Sequence, residues 1–246
     1  MKADTQGTEH HRRRAQLRDR LRQRVKIHRE GTNILIVLAL MLIAVNVPAW
    51  IYLPPLVLPP LCSLVSVVTY GFIFNFFRCP SRKYRGKRED TVISSVDGRV
   101  VAIERVEESE YLKGEAVMVS VFMSPLNVHA NWYPLDGDVE YVRHHRGRFL
   151  SAYLPKASTD NERSTVGIRD PKGRRITVRQ IAGAMARRIV TYARKGNKAS
   201  IDSHLGFIKF GSRVDIYLPT DAEILINIGD KVSGGLTPLA HFDAAQ

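Results

Sequence analysis

The chain has 246 residues, a formal net charge of +13 and two cysteines, Cys62 and Cys79. That length holds one substantial domain plus an extra segment, and the charge points to an anionic partner, either nucleic acid or a phospholipid surface. Two cysteines in or beside an apolar region exclude a disulfide-stapled fold and fit a reducing compartment.

Residues 1–33 read as a basic cytoplasmic tail. Arg12, Arg13, Arg14, Arg18, Arg20, Arg22 and Arg24 crowd it, and Leu17, Leu21 and Val25 recur at every fourth position as one thin apolar stripe. No aromatic residue is interleaved with these arginines, which favours anionic lipid over nucleic acid. Residues 34–78 read as a membrane hairpin. Ile34 to Leu53 is long enough to cross a bilayer core as a helix, and a second apolar run extends from Leu61 to Phe77. Pro48, Pro54, Pro55, Pro59 and Pro60 mark the turn between the two, with Trp50 and Tyr52 at interface height. Arg78, Arg82, Lys83, Arg85, Lys87 and Arg88 follow the second run. Under the positive-inside rule both ends are cytoplasmic, so the hairpin, spanning or re-entrant, delivers residues 79–246 to the cytoplasmic face of the cell membrane. The long basic lead-in and the lack of a small-residue site after the first run argue against a cleaved signal peptide.

From Thr91 the texture changes to short alternating runs broken by glycine and aspartate. The pattern predicts strands at Thr91–Ile93, Arg99–Arg105, Ala116–Phe122, Asp138–Val142, Ile176–Ile181, Phe207–Phe210, Val214–Leu218 and Glu223–Ile226, with a short helix within Ala182–Lys195. Two echoes run through this part. Val96-Asp97-Gly98-Arg99-Val100 matches Leu135-Asp136-Gly137-Asp138-Val139, and Gly196-Asn197-Lys198-Ala199 matches Gly229-Asp230-Lys231-Val232. Such repeats predict a mainly β fold, a β-sandwich of the barrel-sandwich-hybrid kind built from two similar halves with minor helix. The second echo is similar to the half-repeat of biotinyl and lipoyl carrier domains, but no lysine stands at a tight hairpin tip, as a carrier requires.

Few residues carry chemistry. His129 follows a strand in Met123-Ser124-Pro125-Leu126-Asn127-Val128-His129, flanked by small and polar residues, where it can titrate near neutrality. Asp97 can hold a β-turn through its carboxylate, and His144 and His145 read as surface residues. No Cys/His set has zinc spacing, so no metal is expected. No phosphate-binding glycine loop opens a helix, and no G-x-S-x-G elbow is present. Gly211-Ser212 is the only Gly-Ser step in the chain. By itself it is a strand with a bend. A hydroxyl beside the preceding carbonyl can also attack it, given strain and an oxyanion site.

Five stretches in consistent order decide between these readings: Phe76-Phe77-Arg78-Cys79-Pro80, Val96-Asp97-Gly98, Phe122-Met123-Ser124-Pro125 through His129, Asn161-Glu162-Arg163, and Phe210-Gly211-Ser212-Arg213-Val214-Asp215. From Phe76 to Ala240 this order resembles the phosphatidylserine decarboxylase proenzyme family, in its short membrane-anchored bacterial and archaeal branch. The resemblance implies self-cleavage between Gly211 and Ser212. Ser212 Oγ attacks the Gly211 carbonyl, and elimination from the resulting ester and loss of ammonia leave a covalent pyruvoyl group, the enzyme's cofactor, in place of Ser212. That group is the electron sink for decarboxylating phosphatidylserine to phosphatidylethanolamine. The resemblance further implies that His129 handles protons and that Asp97 orients or charge-balances a histidine. Arg213 and Arg163 become possible contacts for the headgroup. The expected partners are the phospholipid substrate, an anionic membrane surface, and the chain's own C-terminal fragment, which pairs with residues 1–211. Two departures stand out. Longer family members carry a second histidine where this chain has Trp132, and Ser95 stands where the family has proline. The alternatives are a membrane-tethered β-sandwich that binds or carries without cleaving itself, and the same enzyme acting on an archaeal-type serine ether lipid.

Overall fold

The computed structural model describes residues 25–153, 157–183, 188–209 and 212–242. The arginine-rich tail ahead of Val25 lies outside them. Strand β1 (Val25–Ile27) leads into helix α1 (Arg29–Tyr52), and helix α2 (Leu58–Phe76) returns to strand β2 (Arg78–Pro80). Helix α1 starts at Arg29, ahead of the apolar run, because His28 Nδ1 caps it by accepting from the Glu30 N–H at 3.3 Å. Prolines are placed differently from the expectation. Pro48 lies inside α1, and Pro59 and Pro60 open α2, where a missing N–H has no intrahelical partner to lose. Both helices are long and apolar enough to cross a membrane, with mean hydropathies of 2.6 and 1.4. A polar clasp joins them: Asn46 Nδ2 donates to Ser66 Oγ at 2.7 Å, Ser63 Oγ to Asn46 Oδ1 at 2.9 Å, and Trp50 Nε1 to Ser63 Oγ at 3.0 Å. In lipid such groups need partners of this kind. At the root of the hairpin β1 and β2 pair antiparallel, and the His28 N–H donates to the Phe77 carbonyl at 2.9 Å. Both helices therefore leave the same point of the β-domain.

That domain comprises β3 (Thr91–Ile93), β4 (Gly98–Glu108), β5 (Gly114–Met123), β6 (Ala130–Trp132) and β7 (Gly137–His145), then the one-turn helix α3 (Ala157–Asp160). It continues with β8 (Arg163–Arg169), β9 (Arg175–Ala182), β10 (Arg188–Thr191), β11 (Lys198–Ala199) and β12 (His204–Lys209). It ends with β13 (Ser212–Leu218), β14 (Ala222–Ile224), β15 (Lys231–Val232) and β16 (Pro238–Phe242). As the residue pattern predicts, the fold is mainly β. One antiparallel sheet of eight strands has the order β11-β7-β8-β9-β13-β5-β4-β15, and two three-stranded sheets, β10-β12-β6 and β14-β16-β3, lie against it. Alternation along the strands buries Val119, Val121, Val166, Ile168, Val178, Val214 and Ile216 in one core with Leu205, Ile208 and Leu239.

The sequence echoes are structural equivalents. Lys198 and Ala199 pair with Asp138 and Gly137 at one end of the large sheet, and Lys231 and Val232 pair with Arg99 and Gly98 at the other. Flanking bonds match as well. Gly196 N–H donates to Val139 O and Gly229 N–H to Val100 O, both at 2.8 Å, and the two glycines have φ of +89° and +95°, a region that favours glycine. By strand order, β3–β5 correspond to β6–β8, and β9–β12 to β13–β16. The link between β12 and β13, which contains the Gly211-Ser212 step, is therefore a seam between the two halves, as is the loop between β5 and β6.

One prediction fails. Arg188–Thr191, inside the expected helix, is a strand paired with β12, Ile189 opposite Ile208; Ile189, Val190 and Thr191 are β-branched and suit extended backbone. Residues 184–187 of that segment lie outside the described residues.

Glycine is required where the equivalent long strands begin. A Cβ on Gly98 would stand 2.2 Å from the Phe122 carbonyl oxygen, and one on Gly137 2.2 Å from that of Arg169, whereas Gly114 has nothing within 4 Å. On a Ser212→Ala background, Gly98→Ala and Gly137→Ala should each cost about 1–3 kcal/mol, lowering the thermal midpoint by about 2–4 °C per kcal/mol. Gly114→Ala should leave the midpoint nearly unchanged, as scanning calorimetry of the solubilised protein can check.

Candidate active site

Ser212 opens β13 at the centre of the large sheet, opposite Met123 of β5 on one side and Ala182 of β9 on the other. It is fully buried. Its Oγ points at the Met123 thioether at 3.4 Å, a weak acceptor that leaves the hydroxyl loosely held. Gly211, the expected partner across the scissile bond, lies outside the described residues, as does Phe210. The Asn161-Glu162-Arg163 stretch supports the neighbouring strand. Asn161 Nδ2 donates to the carbonyls of Ala182 at 2.7 Å and Leu150 at 2.8 Å, and its Oδ1 accepts from the Leu150 N–H at 2.9 Å.

Arg213 and Arg163 point to the other face of the sheet. Arg213 forms a buried ion pair with Asp215 at 3.0 Å, and Asp215 also accepts from Ser120 and Ser158, each at 2.6 Å. Arg163 donates to the Thr159 carbonyl at 2.5 Å and lies 3.8 Å from Glu110. Neither is placed to meet a headgroup at Ser212. The same face corrects the reading of His145 as a surface residue: its Nε2 lies 2.8 Å from Glu110, within a network that includes Arg179. His144 is half exposed, near Glu162.

The loop after Met123 closes as a tight β-turn, Ser124–Asn127, held by the Asn127 side chain. Asn127 Oδ1 accepts from the Ser124 N–H at 2.9 Å and Oγ at 2.8 Å, and the Asn127 N–H donates back to the Ser124 carbonyl at 2.9 Å. The turn brings His129 beside β12, where its carbonyl accepts from the Ile208 N–H at 3.3 Å. One end of this loop thus pairs with Ser212 and the other with the strand that leads to Gly211. His129 is fully buried, 4.1 Å from the Phe76 ring and 6.5 Å from that of Phe207. Its Nδ1 lies 2.9 Å from the Asn127 carbonyl oxygen. A carbonyl only accepts, so Nδ1 carries the proton and Nε2 is a lone-pair acceptor. Nε2 is buried and has no partner among the described residues. Burial foremost pulls the imidazole down to about pKa 4; the Asn127 carbonyl and Asp97 oppose that shift, and Arg78 reinforces it. His129 is therefore a neutral base with one bare nitrogen.

Asp97 is not hydrogen-bonded to a histidine. Its carboxylate grips Arg82 through both oxygens, with Oδ2 at 2.9 Å, and Oδ1 accepts from the Gly234 N–H at 2.9 Å. The geometry departs from a triad because Nδ1 of His129 is already bonded to Asn127, and Asp97 acts on His129 through its charge alone. Arg82 lies over the Trp132 ring at 4.7 Å, so the position of the absent second histidine holds an aromatic platform. His204, which the residue pattern did not single out, stands across the strand from Trp132 with ring centroids 5.0 Å apart. Also missed were Phe76, whose role depends on contact with His129, and the buried Gln180–Asn131 pair at 2.5 Å, which supports the His129 carbonyl through Asn131 at 3.2 Å. His241 bonds Thr91 in the other half and is not part of the site.

The fold and site define a β protein on a two-helix apolar anchor, with a buried serine and a neutral histidine at the seam of an internal repeat. The family model described as phosphatidylserine decarboxylase matches residues 69–240. The phosphatidylserine decarboxylase proenzyme of Phocaeicola vulgatus is 49% identical over 228 residues, covering 89% of this chain and 96% of the relative. That of Bacteroides fragilis is 50% identical over 218 residues with the same coverage, and that of Amoebophilus asiaticus is 43% identical over 71% of this chain and 77% of its own. The chain belongs to the phosphatidylserine decarboxylase family.

The state of His129 can be read from stability. The imidazole titrates near 6.5 in the unfolded chain and at about 4 in the fold, so between those values the unfolded chain binds more protons. Its contribution is present above pH 6.5 and is lost as pH falls towards 4, by about 3 kcal/mol. On the Ser212→Ala background, the stability of the His129-containing protein relative to His129→Gln should fall by about that amount between pH 7 and pH 4. Denaturant unfolding at the two pH values measures it; a constant difference would mean that His129 is not held neutral.

Proposed function

We propose that this chain cleaves itself between Gly211 and Ser212, converts Ser212 to a pyruvoyl group, and then decarboxylates phosphatidylserine to phosphatidylethanolamine. The observation that carries this reading is the pairing of a buried, loosely held Ser212 hydroxyl with a bare, neutral His129 Nε2 at opposite ends of one tight loop, in a chain of this family. His129 Nε2 takes the Ser212 proton as Oγ attacks the Gly211 carbonyl carbon. The Gly211–Ser212 C–N bond breaks as the ester C–O bond forms, and the Ser212 nitrogen gains a proton. Removal of the Ser212 α-proton expels the Gly211 carboxylate. Water then replaces the nitrogen, which leaves as ammonia.

Ser212, fully buried at the head of a paired strand, fits a group that must be kept from bulk water. Once formed, the pyruvoyl group would supply, by condensing with the serine amine, an electron sink for the pair left as CO2 departs. His129 is the residue that returns a proton to the substrate carbon, and Asp97 tempers the positive field of Arg78 and Arg82 around it. Residues 79–246 form the catalytic unit. The two apolar helices attach it to the membrane, and the basic residues flanking them favour an anionic leaflet on the cytoplasmic side.

Intact mass of the purified protein tests this reading. The wild type should give two chains, residues 1–211 and residues 212–246, the second lighter than its encoded mass by one ammonia and co-purifying with the first. Ser212→Ala should stay whole, and His129→Ala should slow cleavage by about 10²-fold or more. A wild type that stays whole in membranes would instead support a tethered binding module.

A further inference from the structure

We propose that Arg78 holds the phosphate of the lipid substrate, at the point where the membrane hairpin meets the catalytic loop; this rests on the decarboxylase reading above. Arg78 follows α2 by two residues and is half-buried. Its guanidinium donates to the Asn75 carbonyl at 2.9 Å, to Asn75 Oδ1 at 2.6 Å and to the Leu126 carbonyl at 2.8 Å. All three acceptors are neutral, and among the described residues no carboxylate is in ion-pair contact with it. Three other cations of this region are occupied. Arg82 is gripped by Asp97, Lys209 lies 3.5 Å from Glu30, and Arg29 stacks on Tyr192 at 3.7 Å.

Position separates the phosphate from the serine carboxylate as the anion bound. On one side of Arg78 lie exposed apolar residues, Phe72 and Phe74 of the last turns of α2 and Leu126 of the loop, the last 64% exposed. On the other, the loop that holds Leu126 runs back to Met123, opposite Ser212, and on to His129, whose imidazole feels the Arg78 charge; Ser212 and His129 are both fully buried. A serine phospholipid has the same order: acyl chains, phosphate, then serine. With the serine at Ser212 and the chains against the exposed apolar surface, the phosphate falls at Arg78. The planar fork suits two phosphate oxygens, and a guanidinium already partly removed from water attracts an anion more strongly than one in bulk solvent.

The experiment compares full-length wild type, Arg78→Gln and Arg78→Lys in mixed micelles, on phosphatidylserine and on an O-alkyl serine that lacks the phosphate. Arg78→Gln should mature to the same two chains. Its KM for phosphatidylserine should rise about 10-fold or more with kcat changed little, while its kcat/KM on the phosphate-free substrate holds, and Arg78→Lys should fall between it and the wild type. An unchanged KM for phosphatidylserine, or equal losses on both substrates, would overturn the assignment. Failure of both variants to mature would also overturn it, making Arg78 a brace for the loop. A wild type that neither cleaves nor decarboxylates would remove the decarboxylase reading itself, an outcome distinct from an active wild type beside an indifferent Arg78→Gln.

Discussion

The constraint on which the rest depends is the placement of β13. It begins at Ser212 and is hydrogen-bonded on both sides, to β5 from Met123 to Val117 and to β9 from Ala182 to Thr177. A reaction that breaks the chain just before Ser212 leaves those ladders intact from Arg213 onward. The strands that follow are anchored as well, β15 on β4 and β16 on β3. A short C-terminal segment is ordinarily the part of a chain most easily lost, and here it runs through the middle of the largest sheet. The fold can therefore tolerate the break that its chemistry demands, and the new chain end stays buried where it was made.

The second dependence links the membrane hairpin to the chemistry. His129 is neutral because it is buried, and part of that burial is the Phe76 ring at the end of α2. The root of the hairpin also packs by aromatic stacking on β12, with Phe77 and His28 against Phe207 at ring distances of 5.7 and 4.4 Å, and Gly31 lets Phe77 approach α1 because any Cβ there would fall 2.3 Å from its ring. The helices are thus more than a tether. They form one wall around His129, so the apolar hairpin and the buried histidine share one packing unit.

Much of this was legible in the residues. Alternating runs gave most of the strands, glycine echoes gave the two halves, and apolar length gave the hairpin. What was missed is non-local. Strand β8 escaped notice because polar Ser164 and Thr165 are buried in it, and only their neighbours in the fold explain that. Arg188–Thr191 looked helical because arginine and alanine surround it, yet pairing with β12 overrides local propensity. Ser212 and His129 were found through their neighbours in sequence. The partner of Asp97 was not, since a carboxylate beside a turn shows nothing about whether it faces a histidine or an arginine fifteen residues upstream.

The internal repeat explains why the reactive step stands where it does. The two three-strand units come first in the chain and the two four-strand units follow, and at the junction of β12 with β13 the chain passes from one four-strand unit to the other. The β5–β6 loop, which leads to His129, is the other crossing between halves, and the remaining turns join strands within one half. Cutting the β12–β13 link makes β13–β16 a separate chain that stays paired with β5, β9, β4 and β3, while β3–β12 remain joined through the β5–β6 loop. The residues that differ between halves are those with chemistry. His129 directly precedes β6 and Trp132 ends it, whereas Asp90 precedes the counterpart β3 and Ile93 ends it. A symmetric scaffold supplies rigidity from both sides, and the asymmetric loop between Met123 and His129 turns one seam of it into a reaction centre.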